Sequence, residues 1–192
     1  YQSIRLIEDH VEACYTELMI SFVNSRSDKR EMAETAQEFY TGIQPFFDRC
    51  DTYRFHLFGR LIQLAIYDNQ NDYQEVIRLC EDAITFFDKK PYKSFSVLQV
   101  FHYTLLMSYL NLQQYDRCRV VAKQYESLFQ RGSYNWFKWL ELYFLTEMHD
   151  GCYSEAASIW QLATEQPEFF TLPANITEPW VIFEAYLYFV QR

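Results

Sequence analysis

Apolar residues recur at helical spacing along almost the whole chain, and short polar breaks interrupt them at regular intervals. The breaks fall near residues 24–28, 68–72, 89–91, 112–114, 131–133, 150–151 and 167–179. Between them the pattern predicts helices over roughly residues 3–23, 28–44, 52–70, 73–88, 95–112, 115–130, 134–149, 153–166 and 178–190. Stretches that alternate with a strand period are negligible, so we expect an all-α fold.

Local signals place several helix ends. Asp28 followed by Glu31, and Asp72 followed by Glu75, predict capping boxes at the starts of the second and fourth helices. Pro45 predicts a break there, because proline removes a helical donor. Helices joined by such short loops pack naturally as antiparallel neighbours.

An internal repeat organises the centre of the chain. Three helices open on a tyrosine, at Tyr73, Tyr115 and Tyr153, which lie 42 and 38 residues apart, a period typical of solenoids. Each tyrosine is followed by further residues at steps of three, four and three: Val76, Cys80, Ala83; Cys118, Ala122, Tyr125; Ala156, Trp160, Ala163. We expect the small residues to lie where helices approach closely and the three tyrosine rings to be buried.

The segment Gly151-Cys152-Tyr153-Ser154-Glu155-Ala156 resembles the Gly-x-Tyr-x-Glu-Ala turn of tetratricopeptide repeats. The resemblance covers about residues 52–170, although these units exceed the usual length of about 34 residues. It implies antiparallel helix pairs stacked as a right-handed α-solenoid, about four pairs plus a C-terminal helix. Residues 1–192 would then form one domain, with a divergent first pair (1–50), three repeat units (52–170) and a terminal helix (178–190).

The predicted terminal helix is apolar on almost every face. Residues 139–144 align with 182–187 at a spacing of 43, so the helix resembles the first helix of another pair, with Thr177 as its cap and Pro179 in its first turn. Because solenoids usually end on a polar face, we expect a longer native chain with a covering helix or domain after Arg192. Without such a covering element, the exposed stripe should pack against a second copy, as a homodimer through this helix, or fold back on the preceding helix pair.

Charge and cysteine content narrow the function classes. Seventeen Lys plus Arg against 26 Asp plus Glu give a net charge of −9, which disfavours direct nucleic-acid binding and anionic membrane surfaces. No apolar run reaches the length of a membrane span, so no membrane insertion is expected. The five cysteines lack metal-ligand spacing, which favours free thiols, a reducing compartment and a cytoplasmic protein.

Motifs that carry chemistry are missing from the sequence. The four histidines are isolated, and neither a metalloprotease helix, a nucleophile elbow nor a phosphate-binding loop occurs. We therefore expect no catalytic residue, no cofactor and no metal site. The enzyme alternative is an apolar substrate held in a groove, which loss of turnover on mutating His102 or Glu141 would support.

In tetratricopeptide arrays the first helix of each pair lines the concave surface. Transferred to this chain, the resemblance implies a candidate protein-binding surface of Leu61, Tyr103, Met107, Lys138, Glu141, Leu145 and His149. The family's Lys and Asn carboxylate clamp is not matched there, so the expected ligand is a hydrophobic or aromatic-anchored segment. Such an aromatic surface could instead be the core of the superhelix.

Two functions remain open from the sequence. The first is a non-enzymatic scaffold that binds a protein or peptide partner, or another domain of its own chain. The second is a regulatory or sensor module that binds a peptide or small ligand and controls an attached effector domain.

Overall fold

A computed structural model describes residues 2–25, 28–91 and 95–190, and in these ranges the fold is all-α. The α-helices are α1 Gln2–Ser25, α2 Lys29–Ile43, α3 Tyr53–Asn69, α4 Tyr73–Asp88, α5 Phe95–Asn111, α6 Tyr115–Tyr125, α7 Tyr134–His149, α8 Tyr153–Thr164 and α9 Ala174–Val190. Short 3-10 turns occur at Gln44–Phe46, Glu126–Leu128 and Pro167–Thr171. The all-α prediction is confirmed.

The chain divides into two compact units, Tyr1–Phe101 and His102–Arg192. In the first unit α1, α2, α3 and α4 pack consecutively, and α1 also contacts α3. In the second unit α6, α7, α8 and α9 pack consecutively, and α7 also contacts α9. Consecutive packing of this kind is consistent with a helical repeat.

Apolar stripes at helical spacing form the core of the first unit. Val11 and Leu18 of α1 are fully buried. They join a cluster to which α2 and α3 contribute Met32, Ala36, Ile43, Phe55, Ile62 and Ile66. The ring of Phe47 packs so closely on α3 that a Cβ at Gly59 would lie 2.6 Å from its Cζ atom. Glycine at position 59 therefore permits the contact between ring and helix.

The aspartates of both predicted capping boxes act as helix caps, and the predicted break at Pro45 is confirmed. Asp28 and Asp72 accept hydrogen bonds from the backbone N–H groups of Arg30 and Glu75, at 3.0 and 3.2 Å. Helix α2 ends before Pro45, which lies in the 3-10 turn Gln44–Phe46. The two aspartates satisfy backbone N–H groups at helix starts. Pro45 has no N–H group to continue the hydrogen-bond pattern of α2.

Two predicted boundaries are wrong. Helix α6 ends at Tyr125, before the 3-10 turn Glu126–Leu128, and not near residue 130. Helix α9 begins at Ala174, so Thr177 is not its cap and Pro179 lies inside the helix. The extra turn buries Ile176 completely, on the same face as Trp180 and Phe183. We attribute the longer helix to this burial, which offsets the backbone hydrogen bond that Pro179 cannot donate.

The same turn geometry recurs before each of the repeat tyrosines. The backbone N–H groups of Asp72, Gln114 and Cys152 donate to the carbonyls five residues earlier, at 2.8 to 2.9 Å. The residue before each donor has a positive φ: Asn71 56°, Gln113 57° and Gly151 76°. This is the Schellman arrangement, which ends one helix and lets the next begin two residues after the left-handed residue.

The small positions of the repeat are buried as predicted. Cys80, Ala83, Cys118, Ala156 and Ala163 are fully buried. The tyrosine prediction is wrong for Tyr153, whose side chain is exposed, while Tyr73 and Tyr115 are half-buried. As the first residue of its helix, each tyrosine lies at the end of the packed stripe, where coverage is incomplete.

The left-handed residue of the repeated turn predicts how substitutions to and from glycine change stability. A Cβ at Gly151 would meet no atom within 4 Å, so Gly151→Ala should cost only the left-handed backbone, about 1–2 kcal/mol. Gln113→Gly should stabilise by about 0.5–1 kcal/mol, because glycine adopts this φ without strain. The control is Gly42→Ala in the last turn of α2, which should stabilise by about 0.5–1 kcal/mol. Urea unfolding measures all three; equal signs for the two glycine-to-alanine changes would contradict the turn assignment.

Candidate interaction surface

The second unit contains most of the predicted binding surface. Tyr103 and Met107 lie on α5, and Lys138, Glu141 and Leu145 on α7; all are half-buried. His149, the last residue of α7, is exposed. Leu61 is half-buried on α3, in the first unit.

Three of these residues form one electrostatic group. Lys138 Nζ donates a hydrogen bond of 2.5 Å to Glu141 Oε2 across one helical turn. Burial, together with smaller contributions from the nearby Glu141 carboxylate and Tyr134, raises the pKa of the Tyr103 phenol to about 12. Tyr103 therefore stays protonated at neutral pH and can donate a hydrogen bond. Tyr103, Lys138 and Glu141 could therefore form polar contacts with a ligand, although each side chain is half-buried.

A more exposed apolar surface lies on α9. Val181, Ile182, Tyr186 and Phe189 expose 64%, 53%, 57% and 80% of their surface, and Ala185 is also exposed. These residues occupy neighbouring positions on one side of the helix, opposite the buried stripe of Ile176, Trp180, Phe183 and Leu187. We call the set Val181, Ile182, Ala185, Tyr186 and Phe189 the outer face of α9. Exposed aromatic and aliphatic side chains clustered in this way mark interaction sites.

Sequence reasoning missed a buried ion-pair network between α6 and α7. Arg119 donates through Nε to both carboxylate oxygens of Glu147 at 3.0 Å, and through a terminal nitrogen to Asp150 at 2.5 Å. Glu147 is only 1% exposed. The same guanidinium lies 3.2 Å from the Cys152 sulfur at the start of α8. These hydrogen bonds raise the Arg119 pKa further above its already high value.

A sequence signal for this network did exist. Six residues before the repeat tyrosines stand Tyr67, Tyr109 and Glu147, so the third unit has a carboxylate where the others have an aromatic ring. A carboxylate at an otherwise apolar repeat position needs a cationic partner once it is buried. The partner lies on another helix and 28 residues away, which the repeat pattern could not identify.

The first unit contains a second unpredicted cluster, centred on His56. The imidazole packs 4.1 Å from the Phe86 ring, between centroids, and is 6% exposed. Arg60 and Lys90 lie over the same Phe86 ring, and Arg60 also pairs with Asp82 at 2.6 Å. Burial, with smaller contributions from Arg60 and Lys90, lowers the His56 pKa to about 4 against the opposing effect of Asp51. His56 is therefore neutral at pH 7.

An open cavity of about 650 Å³ lies beside α1 and the start of α3. Its lining includes Asp9, Glu12, Glu17 and Arg54. Arg54 donates to Asp9 at 2.7 Å and also to Glu12, so two of the three carboxylates already have a partner. The charged groups of the cavity are mostly acidic, and they largely satisfy one another.

The described ranges contain no group of three or more His, Cys, Asp or Glu side chains arranged to hold a metal ion. None of the described helices combines the length and apolarity needed to cross a bilayer. The cysteines are free thiols, and four of them are buried. Comparison with known proteins gives no match to a family model, to a curated protein or to a solved structure.

Proposed function

We propose that this chain is a non-enzymatic helical-repeat scaffold that binds another protein. The observation that carries the proposal is the outer face of α9, where Phe189 and Val181 are 80% and 64% exposed in a helix whose other side is buried. Large apolar side chains left in water are unfavourable, and covering them with a partner removes that cost.

The proposed architecture is a right-handed solenoid of the tetratricopeptide type. Three features support it: the identical Schellman turns before Tyr73, Tyr115 and Tyr153, the buried small residues at repeat steps, and the contacts between alternate helices within each unit. In this architecture the polar group of Tyr103, Lys138 and Glu141 would form a second contact region. The exposed α9 would supply most of the binding energy, since it offers the larger apolar area.

Capture of partners by variants of the chain tests the proposal. The wild-type chain is immobilised and exposed to extract of its source cells, and retained proteins are identified by mass spectrometry. Ile182→Asp/Phe189→Asp places two charges on the outer face of α9 and should abolish capture of the specific partner. The matched control, Leu6→Asp/Val120→Asp, alters two other apolar residues that are 69% and 62% exposed and should retain it.

Both double variants should keep the helical circular-dichroism signal of the wild type, because exposed positions tolerate charge at a cost of about 0.5 kcal/mol each. A set of captured proteins that is unchanged by the α9 variant would contradict the proposed function. So would equal losses in the α9 variant and its control.

A further inference from the structure

An ion pair joins α3 and α4 at the end of the hairpin that lies away from their connecting turn. The turn at residues 70–72 closes one end, so the start of α3 meets the end of α4 at the other. Lys90, two residues after α4, donates to the carboxylate of Asp51 at 2.8 Å and to its backbone carbonyl at 3.2 Å. Asp51 itself lies two residues before α3. The pair therefore fastens this end of the hairpin.

The ring of Phe86, in the last turn of α4, contacts two cations and His56. The Lys90 ammonium lies 4.3 Å from the centroid of this ring, and the guanidinium carbon of Arg60 lies 5.0 Å from it. The centroid of the His56 ring is 4.1 Å away. An aromatic face attracts a cation, and an uncharged imidazole packs against it as another flat ring. The arrangement suits two cations and a neutral His56.

The surroundings of His56 do not solvate a charge. The residue is 6% exposed, and the rings of Phe47 and Phe55 pack edge-on against it at 5.4 and 5.6 Å between centroids. Its Nδ1 atom is buried and has no hydrogen-bond partner among the described residues. A proton on this ring would produce a buried cation beside two others, which is unfavourable unless a carboxylate pairs with it.

The carboxylates of the cluster already have partners. Among the described residues, its charged groups come from α3, from the segment before α3, from α4 and from the segment after α4: Arg60, Asp51, Asp82 and Lys90. Asp51 pairs with Lys90, and Asp82 pairs with Arg60. Asp51 favours a proton on His56, but burial and the two cations outweigh it and hold the His56 pKa at about 4. The closed cluster therefore excludes a proton at pH values where an exposed histidine binds one.

We propose that acid opens this cluster locally, as a clasp, while the rest of the first unit stays folded. Lys90 is the cation that leaves, because 18% of its side chain is exposed against 9% for Arg60, and because it lies outside α4. Once Lys90 withdraws from Phe86, the segments before α3 and after α4 separate, and water reaches the protonated His56. Neutral pH removes the proton and closes the clasp again. Exposure of the Phe86 ring thus depends on pH, independently of protein binding by α9.

Thiol labelling of the intact chain distinguishes local opening from unfolding. Cys50 is 2% exposed and adjoins Asp51 in the clasp, whereas Cys80 is fully buried in the middle of α4. The reagent is dithiodipyridine, which reacts with thiols in acid, and each labelling rate is divided by the rate of the same cysteine in the urea-unfolded chain at that pH. At pH 5 the normalised rate of Cys50 should exceed that of Cys80 at least about tenfold, because local opening is more frequent than unfolding.

The pH dependence of labelling tests whether His56 controls the clasp. From pH 7 to pH 5 the normalised Cys50 rate should rise about twentyfold, since the histidine has a pKa near 6.5 in the open state and about 4 in the closed state. His56→Gln, which cannot titrate, should keep the Cys50 rate within about twofold over this range. His149→Gln, the same change at an exposed histidine, should behave like the wild type.

Two lysine variants test the clasp without changing His56. Lys90→Gln removes the bond to Asp51 and the contact with Phe86, so it should raise the Cys50 rate at pH 7 about fivefold. Lys89→Gln, the same change at the exposed neighbour, should leave it unchanged.

Three results would overturn the inference. The first is a Cys50 rate that stays constant between pH 7 and pH 5, or that rises as much in His56→Gln as in the wild type. The second is equal normalised rates for Cys50 and Cys80, because exposure would then come from unfolding of the whole unit. The third is equal Cys50 rates in the Lys89 and Lys90 variants, because Lys90 would then not hold the hairpin closed.

Discussion

Arg119→Leu should lower the free energy of unfolding by about 3–5 kcal/mol, one of the two largest effects expected in this chain. The substitution leaves the Glu147 carboxylate, 1% exposed, without the guanidinium that donates to both of its oxygens. An unpaired buried charge costs far more than the net stability that the intact pair contributes. Urea unfolding at neutral pH measures the loss.

A double variant distinguishes the cost of an unpaired buried charge from the net contribution of the ion pair. Arg119→Leu/Glu147→Leu removes both charges, so it should recover most of the stability that Arg119→Leu loses. Arg78→Leu is the matched control, because Arg78 pairs with Glu75 at 2.7 Å on the surface, with 65% of its side chain exposed. That change should cost less than about 1 kcal/mol. A small loss for Arg119→Leu, or no recovery in the double variant, would contradict the assigned network.

Acid should destabilise the first unit through His56. The pKa of its imidazole is about 4 in the folded chain, against the usual 6.5, mainly because the ring is buried and Arg60 and Lys90 are nearby. Above pH 6.5 the histidine is neutral in both states and no stability is lost. As the pH falls from 6.5 to 4, the unfolded chain binds a proton that the folded chain does not, so the free energy of unfolding drops by about 3 kcal/mol.

His56→Leu isolates this contribution from the titration of carboxylates. The variant replaces a ring whose Nδ1 has no hydrogen-bond partner among the described residues. Between pH 7 and pH 4 it should lose about 3 kcal/mol less stability than the wild type. His149→Leu, the same change at an exposed histidine, is the control. An identical pH dependence for wild type and His56→Leu would show that His56 is accessible to protons in the folded chain.

The sequence predicted the parts of the fold that depend on local chemistry. Asp72 begins α4 because its carboxylate reaches a free backbone N–H, and Cys80 and Ala83 are buried because helices approach closely there. The predicted start of α9 is wrong because the local signal of Pro179 favours a first helical turn there. Burial of Ile176, a tertiary effect, extends that helix beyond the local signal.

For the candidate sites too, the sequence predicts local features but not contacts between helices. The apolar character of α9 was visible in the sequence, yet which of its sides is exposed depends on the packing of Trp180 and Phe183 against Phe144. The pairing of Arg119 with Glu147 joins two helices, and periodicity within either helix gives no indication of it. Charge pairs between elements and the pKa of His56 require the assembled structure.

Site-specific photocrosslinking in the source cells tests the central claim, protein binding through α9, most directly. A benzophenone side chain is placed at Tyr186, 57% exposed on the outer face, or at Met107, half-buried on α5. The account predicts a covalent adduct with one partner protein from position 186, which Ile182→Asp/Phe189→Asp removes. An adduct from position 107 with none from position 186 would contradict it.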